Sequence, residues 1–271
     1  MAPTSQVTFG TCCFCGKSFL TSKRSREHIA PQWLLKYSGV RSKDRHTFTS
    51  VKDGGDIKHL VTPAYAHVYK RVCKACNEGW LSYLEAEAKR IVEQIIQEQD
   101  ITLPWVDSLF LSAWVYKIFA LTHLSEGGDR AKYIRKDDLT SLYERLMPEG
   151  HSYLSLTKSS EVRVGKLNIH LFQNSFVTSQ EEARNTDLSL TQCFVGMLRT
   201  WNVMFLFAYV PPNGNWALGL DPKLEGAACL WPTRTQIQVN KTSLPDVAKP
   251  ESMHFYFFHP EDSQDHATLG D

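Results

Sequence analysis

The sequence predicts an α+β protein: a loop-rich N-terminal module clamped by cysteines, then a helical segment, then a mainly antiparallel β region. Three observations carry that expectation. Two C-x-x-C pairs, Cys12/Cys15 and Cys73/Cys76, bracket a basic stretch near the start of the chain. Apolar residues then recur at helical spacing between Trp80 and Ile96. Beyond His151 the chain breaks into short runs rich in β-branched and aromatic residues, separated by turn residues.

The 271 residues, 42% of them hydrophobic, suffice for a sizeable core. The pattern divides them into a module at 1–100 and an accessory region at 101–271. In the module, strand-like pieces fall near 47–51 and 67–73, and the polar segment RSKDRHTFTSVKDGGDIKH reads as an excursion with a Gly-Gly turn. Trp80, Leu81, Leu84, Ala88, Ile91, Val92, Ile95 and Ile96 predict an amphipathic helix over 78–98, which Pro104 interrupts. A second helix is expected over 106–123. Its sequence, WVDSLFLSAWVYKIFALTHL, is the most apolar in the chain, yet Asp107, Lys117 and His123 argue for a buried helix over a membrane span. A short helix near 137–146 ends before Pro148. SYLSLT, VRVGKLNIHLF, TQCFVGMLR, WNVMFLFAYV, NWALGL, AACLWP and TQIQV then predict strands, with Pro211, Pro212, Asn213 and Gly214 as turn residues.

The opening MAPTSQVTFG lacks the basic-then-apolar pattern of a secretory signal, so the seven cysteines are expected to be reduced thiols in a cytoplasmic protein. Two C-x-x-C pairs then point to a metal, because four thiolates satisfy the tetrahedral preference of Zn²⁺ and leave no open position. Such a site is structural. Cys13 could compete with Cys12, but Cys13-x-Cys15 would make a shorter loop, so Cys12 is the expected ligand. Gly16 suits the tight turn after Cys15. Charge is divided unevenly: residues 1–80 carry 13 Lys+Arg against 5 Asp+Glu, a net +8, whereas residues 81–271 carry 17 against 24, a net −7. A basic segment joined to an acidic one suits a module that meets nucleic acid and a partner region with another task.

The order C-x-x-C, Glu27-His28-Ile29-x-Pro31, then C-x-x-C-Asn77 resembles the HNH nucleases with a ββα-metal core held by a four-cysteine zinc. More narrowly, EHIAPQWLL and CKACNEGWLSYLE are similar to runs shared by bacterial and phage HNH proteins. The resemblance covers about residues 10–90. It implies that His28 is the general base, since an imidazole titrates near neutral pH. It further implies that Glu27, on the opposite side of an extended strand, and Asn77, at the start of the long helix, hold a catalytic Mg²⁺ or Mn²⁺. Lys17, Lys23, Arg24, Arg26, Arg71 and Lys74 lie near the motifs and are expected to meet DNA phosphates in a salt-dependent way. Two positions depart from the family pattern. Glu27 stands where many members carry Asp, and Val68 stands where many carry an Asn about nine residues before the final ligand. Another group must then orient His28, and His67 is a candidate.

The second half holds no comparable constellation. His151, His170, His254 and His259 are scattered, Cys193 and Cys229 read as packed thiols, and no Gly-rich phosphate loop is present. Trp201, Tyr209, Trp216 and Trp231 read as core residues of strands. Glu85 reads as a solvent-facing helix carboxylate. The expected function is metal-dependent cleavage of DNA, in phage defence or a mobile element, with the acidic region binding a regulatory ligand or protein or mediating a homodimer. The competing expectation is a non-catalytic zinc module that binds nucleic acid or protein.

Overall fold

The computed structural model describes residues 10–38, 45–51, 57–63, 66–97, 100–126, 134, 136–145, 151–158, 169–172, 194–200, 203–210, 217–220, 228–231, 235–240 and 255–258. Helices and antiparallel strands are mixed along the chain, the α+β class that the sequence predicts. The turn at Pro211–Gly214 and the residues Cys193, Trp201, Trp216, His254 and His259 lie outside the described residues.

In the N-terminal part, strand β1 (Arg24–His28) pairs antiparallel with β4 (Val68–Cys73). Arg24 lies opposite Cys73 and His28 opposite Val68, with a register shift between Ser25 and Glu27. After β1 come a 3-10 turn (Gln32–Leu34) and the single helical turn α1 (Leu35–Ser38). Between the two paired strands, β2 (Arg45–Val51) and β3 (Ile57–Pro63) form a hairpin. The sequence predicts the first of these strands but not the second. Its residues IKHLVTP mix basic and apolar side chains, so the signal for a strand comes from the partner across the hairpin.

Strand β4 runs directly into helix. A first turn, α2 (Lys74–Cys76), is followed by a widened π turn (Asn77–Leu81) and by α3 (Ser82–Gln97). The helical path therefore begins upstream of the predicted position 78. Cys73 caps it, its sulfur accepting from the Cys76 N–H at 3.4 Å. At Gly79 the backbone leaves the helical region, with φ −96° and ψ −111°. Leu84, Ala88, Ile91, Val92 and Ile95 of α3 are wholly buried along one face, the i, i+4, i+7 pattern of a core-facing helix.

Strand β5 (Asp100–Leu103) was hidden in the sequence between two helices; its partner is the distant β12 (Ile237–Asn240). Helix α4 (Trp105–Glu126) follows, buried over most of its circumference from Leu111 to His123. Among the described residues no helix is long and apolar enough to cross a membrane. Helix α5 (Lys136–Arg145) precedes a five-stranded antiparallel sheet of order β11-β6-β9-β8-β7. Its strands are β6 (His151–Lys158), β7 (Ile169–Phe172), β8 (Phe194–Thr200), β9 (Val203–Val210) and β11 (Ala228–Trp231). A separate pair joins β10 (Ala217–Leu220) to β13 (Phe255–Phe258), the latter a strand the sequence reading did not assign.

One hydrophobic cluster runs from Cys12 to Val239, and aromatic contacts trace it. Trp33 stacks on Trp114 of α4 with ring centroids 5.7 Å apart, and Trp114 meets Phe205 of β9 edge-on at 6.3 Å. Phe14, in the first cysteine loop, packs edge-on against Trp80 at 5.1 Å. Each large apolar side chain fully buried in this way stabilises the fold by about 1.5–3 kcal/mol. Helix α4 thus sits between the strand that carries the expected base and the large sheet.

Candidate metal centre and the strand beside it

Cys12 and Cys15 lie in a loop closed by a bridge between Thr11 and Ser18, and Cys73 and Cys76 lie at the junction of β4 and α2. The two pairs converge. All four sulfurs fall within 4.8 Å of one another, with Cys12 Sγ 3.9 Å from Cys76 Sγ and Cys15 Sγ 3.7 Å from Cys73 Sγ. A tetrahedral zinc with Zn–S bonds of about 2.3 Å requires sulfurs about 3.8 Å apart, whereas a disulfide requires about 2.05 Å. The donor set therefore fits a zinc ion. It is Cys12, as expected, and not Cys13, that joins the group.

Local geometry supports the cluster. The Cys73 N–H donates to Cys12 Sγ at 3.3 Å, Gly16 N–H returns to the Cys12 carbonyl at 3.0 Å, and Cys13 N–H reaches the Arg71 carbonyl at 2.9 Å. Hydrogen bonding with Cys13 and Cys76 holds the Cys12 thiol well below the usual range, and the bond between Cys12 and Cys76 pushes Cys76 up. Gly16 turns the loop with φ +70°, in the left-handed region. A Cβ there would meet nothing within 4 Å, so the cost of a side chain is confined to the backbone. Gly16→Ala is accordingly expected to lower stability by about 1 kcal/mol in denaturant unfolding with zinc content preserved; unchanged stability would mean that the loop does not depend on this conformation.

Among the described residues, no second group of three or more His, Cys, Asp or Glu side chains is close enough to hold an ion. The strand next to the cysteines explains why. Glu27 and His28 are consecutive in β1 and so project to opposite faces. Glu27 turns into the core, where it is 4% exposed. There Lys117 Nζ of α4 donates to Glu27 Oε1 at 2.7 Å and to Glu85 Oε1 at 2.8 Å. It also lies 3.4 Å from the His28 carbonyl oxygen. This differs from the placement implied by the family resemblance, in which Glu27 would hold a hydrated cation. As placed, Glu27 faces an ammonium, and among the described residues it belongs to no group of three or more His, Cys, Asp or Glu side chains. Glu85 is likewise not the solvent-facing carboxylate expected. Burial pushes the Glu27 carboxyl up even though Lys117 opposes that shift, whereas for Lys117 the two carboxylates outweigh its burial and raise it.

His28 is half-buried on the outer face. Gln32 Nε2 lies 3.2 Å from its Nε2, within hydrogen-bond distance. His67 meets the same strand through its backbone: its carbonyl accepts from the Ile29 N–H at 3.1 Å. Burial lowers the pKa of the His67 ring, which therefore favours the neutral form. No family model, curated protein or solved structure matches this chain.

Asn77 lies one turn inside the helical path, with helical φ and ψ. Its side-chain Nδ2 donates to Ser25 Oγ at 2.6 Å and to the Arg26 carbonyl at 3.3 Å, tying the helix to β1. That leaves Oδ1 as the atom type a hard cation takes. Lys17, Lys23, Arg24, Arg26 and Lys74 are exposed, and Arg71 is half-buried. Two of the exposed ones are partly engaged: Arg24 lies 4.7 Å over the Phe19 ring, and Lys74 pairs with Glu78 at 3.5 Å. Lys117 is the residue that sequence reasoning passed over. A lysine amid the apolar residues of α4 was noted as a reason against a membrane span, and the same charge signals that a buried helix must bring a carboxylate to it.

Proposed function

We propose that this protein is an HNH-type endonuclease that hydrolyses DNA phosphodiester bonds, with a zinc ion held by Cys12, Cys15, Cys73 and Cys76 as a structural clamp. The observation that carries the reading is the placement of His28. It sits at the end of a strand locked to the cysteine-bearing β4, with its imidazole on the outer face and its Nε2 within hydrogen-bond reach of the Gln32 side chain. Such a group can take a proton from a water that attacks phosphorus, after which the P–O3′ bond breaks and leaves a 5′-phosphate and a 3′-hydroxyl. The exposed lysines and arginines beside the motif supply sequence-neutral attraction for flanking phosphates. Asn77 would offer its Oδ1 to a Mg²⁺ or Mn²⁺; such an ion, when bound, stabilises charge on the leaving oxygen.

A second reading, a non-catalytic zinc module that binds nucleic acid or protein, draws on one specific observation. Glu27, which the family resemblance assigns to the divalent ion, is paired with Lys117 instead.

Incubation of the purified protein with supercoiled plasmid and Mg²⁺, Mn²⁺ or EDTA decides between them. Nicking or linearisation that EDTA abolishes is the expected result. Retarded plasmid with no strand breaks under any metal would favour the binding module.

A further inference from the structure

Helix α4 lies outside the stretch in which the nuclease-like motifs occur, yet it reaches the strand that carries them. Lys117 is wholly buried, and its three N–H donors have three oxygens to face: Glu27 Oε1, Glu85 Oε1 and, at longer range, the His28 carbonyl. The two carboxylates come from different elements, Glu27 from β1 and Glu85 from α3. A single ammonium therefore joins β1, α3 and α4. The two short contacts, 2.7 and 2.8 Å, are of the charge-assisted kind, which fixes position as well as adding energy. Because neighbouring strand residues face opposite ways, whatever fixes the Glu27 side chain from below also fixes the pitch of the His28 ring above. The register shift between Ser25 and Glu27 bends β1 immediately before this point, so the direction in which His28 leaves the sheet is set locally and the anchor lies next to that bend.

We infer that Lys117 is a positioning residue for His28, and that Glu27 serves as its buried counter-ion and not as a ligand of a catalytic metal. The inference rests on the nuclease reading for its consequence in catalysis, but the anchor itself exists without DNA. With Lys117 gone, nothing ties Glu27 to α3 and α4, whether its carboxyl takes up a proton or turns toward water, and β1 is no longer held in place. Glu27→Gln keeps an oxygen that can accept from Lys117, so the strand stays in place.

The test combines cleavage with a readout that needs none. In the full-length protein, Glu27→Gln is expected to reach half-maximal nicking at the same Mg²⁺ concentration as wild type, within twofold; a tenfold increase would make Glu27 a metal ligand and overturn the inference. Lys117→Met should lower kcat for nicking at least tenfold with KM for plasmid unchanged and zinc retained. Should that variant fail to fold, Glu27→Gln/Lys117→Met removes the unpaired buried charge and is expected to show the same loss in kcat. A wild-type kcat in a folded variant would reduce Lys117 to a stabilising residue. Separately, the His28 ring cross-peak in NMR, recorded without DNA or divalent metal, should move in Lys117→Met, or in the double variant. An unmoved peak overturns the anchor whatever the plasmid shows, whereas a moved peak with an inactive wild type upholds the anchor and sinks only the nuclease reading.

Discussion

Cys73→Ser is expected to release the zinc and unfold the N-terminal module. Cys73 has three roles at once. It supplies one of four sulfurs that lie within 4.8 Å of each other, it ends β4 opposite Arg24, and it caps the helical path by accepting the Cys76 N–H. Its own N–H donates to Cys12 Sγ, so a change here also disturbs the first cysteine pair. In small zinc modules the free energy of metal binding is about 10–16 kcal/mol and is largely folding free energy. That is as large as the total stability of most domains, about 5–15 kcal/mol. A serine hydroxyl is a poor substitute for thiolate, so the variant should bind less than one zinc per chain after desalting, measured by a colorimetric chelator. Its melting temperature should fall and should no longer respond to EDTA, whereas EDTA should lower that of wild type. Full zinc content and an unchanged melting curve in Cys73→Ser would mean that the four-thiolate assignment is wrong.

His28→Ala should remove nicking while leaving zinc and fold in place. His28 stands on the outer face of β1, and its side-chain contact is with Gln32, so its loss opens no cavity in the core. A general base contributes typically about 10²–10⁴-fold to rate, and a loss near the middle of that range is expected in single-turnover plasmid nicking. Stability should fall by no more than about 1 kcal/mol, the cost of one partly exposed hydrogen bond. Activity within threefold of wild type would exclude His28 as the base. Loss of zinc in His28→Ala would instead make it part of the structural metal site, a role that its position on the outer face of β1 argues against.

The two variants separate the clamp from the chemistry because the fold separates them. The four sulfurs gather at one end of β1 and β4, where Arg24 faces Cys73, and His28 lies at the other end, opposite Val68. A change at the cysteines is expected to act through folding, and a change at His28, on the nuclease reading, through the reacting group.

The amino-acid sequence by itself determined the thiolate cluster, the helix that follows it and the α+β class. Each of these is written in local spacing: C-x-x-C is read from four residues, and a buried helical face from the repeat of Leu84, Ala88, Ile91 and Ile95. Even the preference for Cys12 over Cys13 followed from loop length. Elements whose reason for existing lies far away in the chain were less legible. Strand β5 is defined by β12, more than 130 residues later, and β3 by its hairpin partner. Only the tertiary structure decided which groups Glu27, Asn77 and Glu85 face. Their residue types fit a metal shell, a helix cap or a solvated surface equally well, and spacing along one chain cannot say which groups face them across it. Lys117 pairs with both carboxylates, from 90 residues beyond Glu27 and 32 beyond Glu85. A charge buried in an apolar helix must find a partner, and that demand drew β1 and α3 to α4.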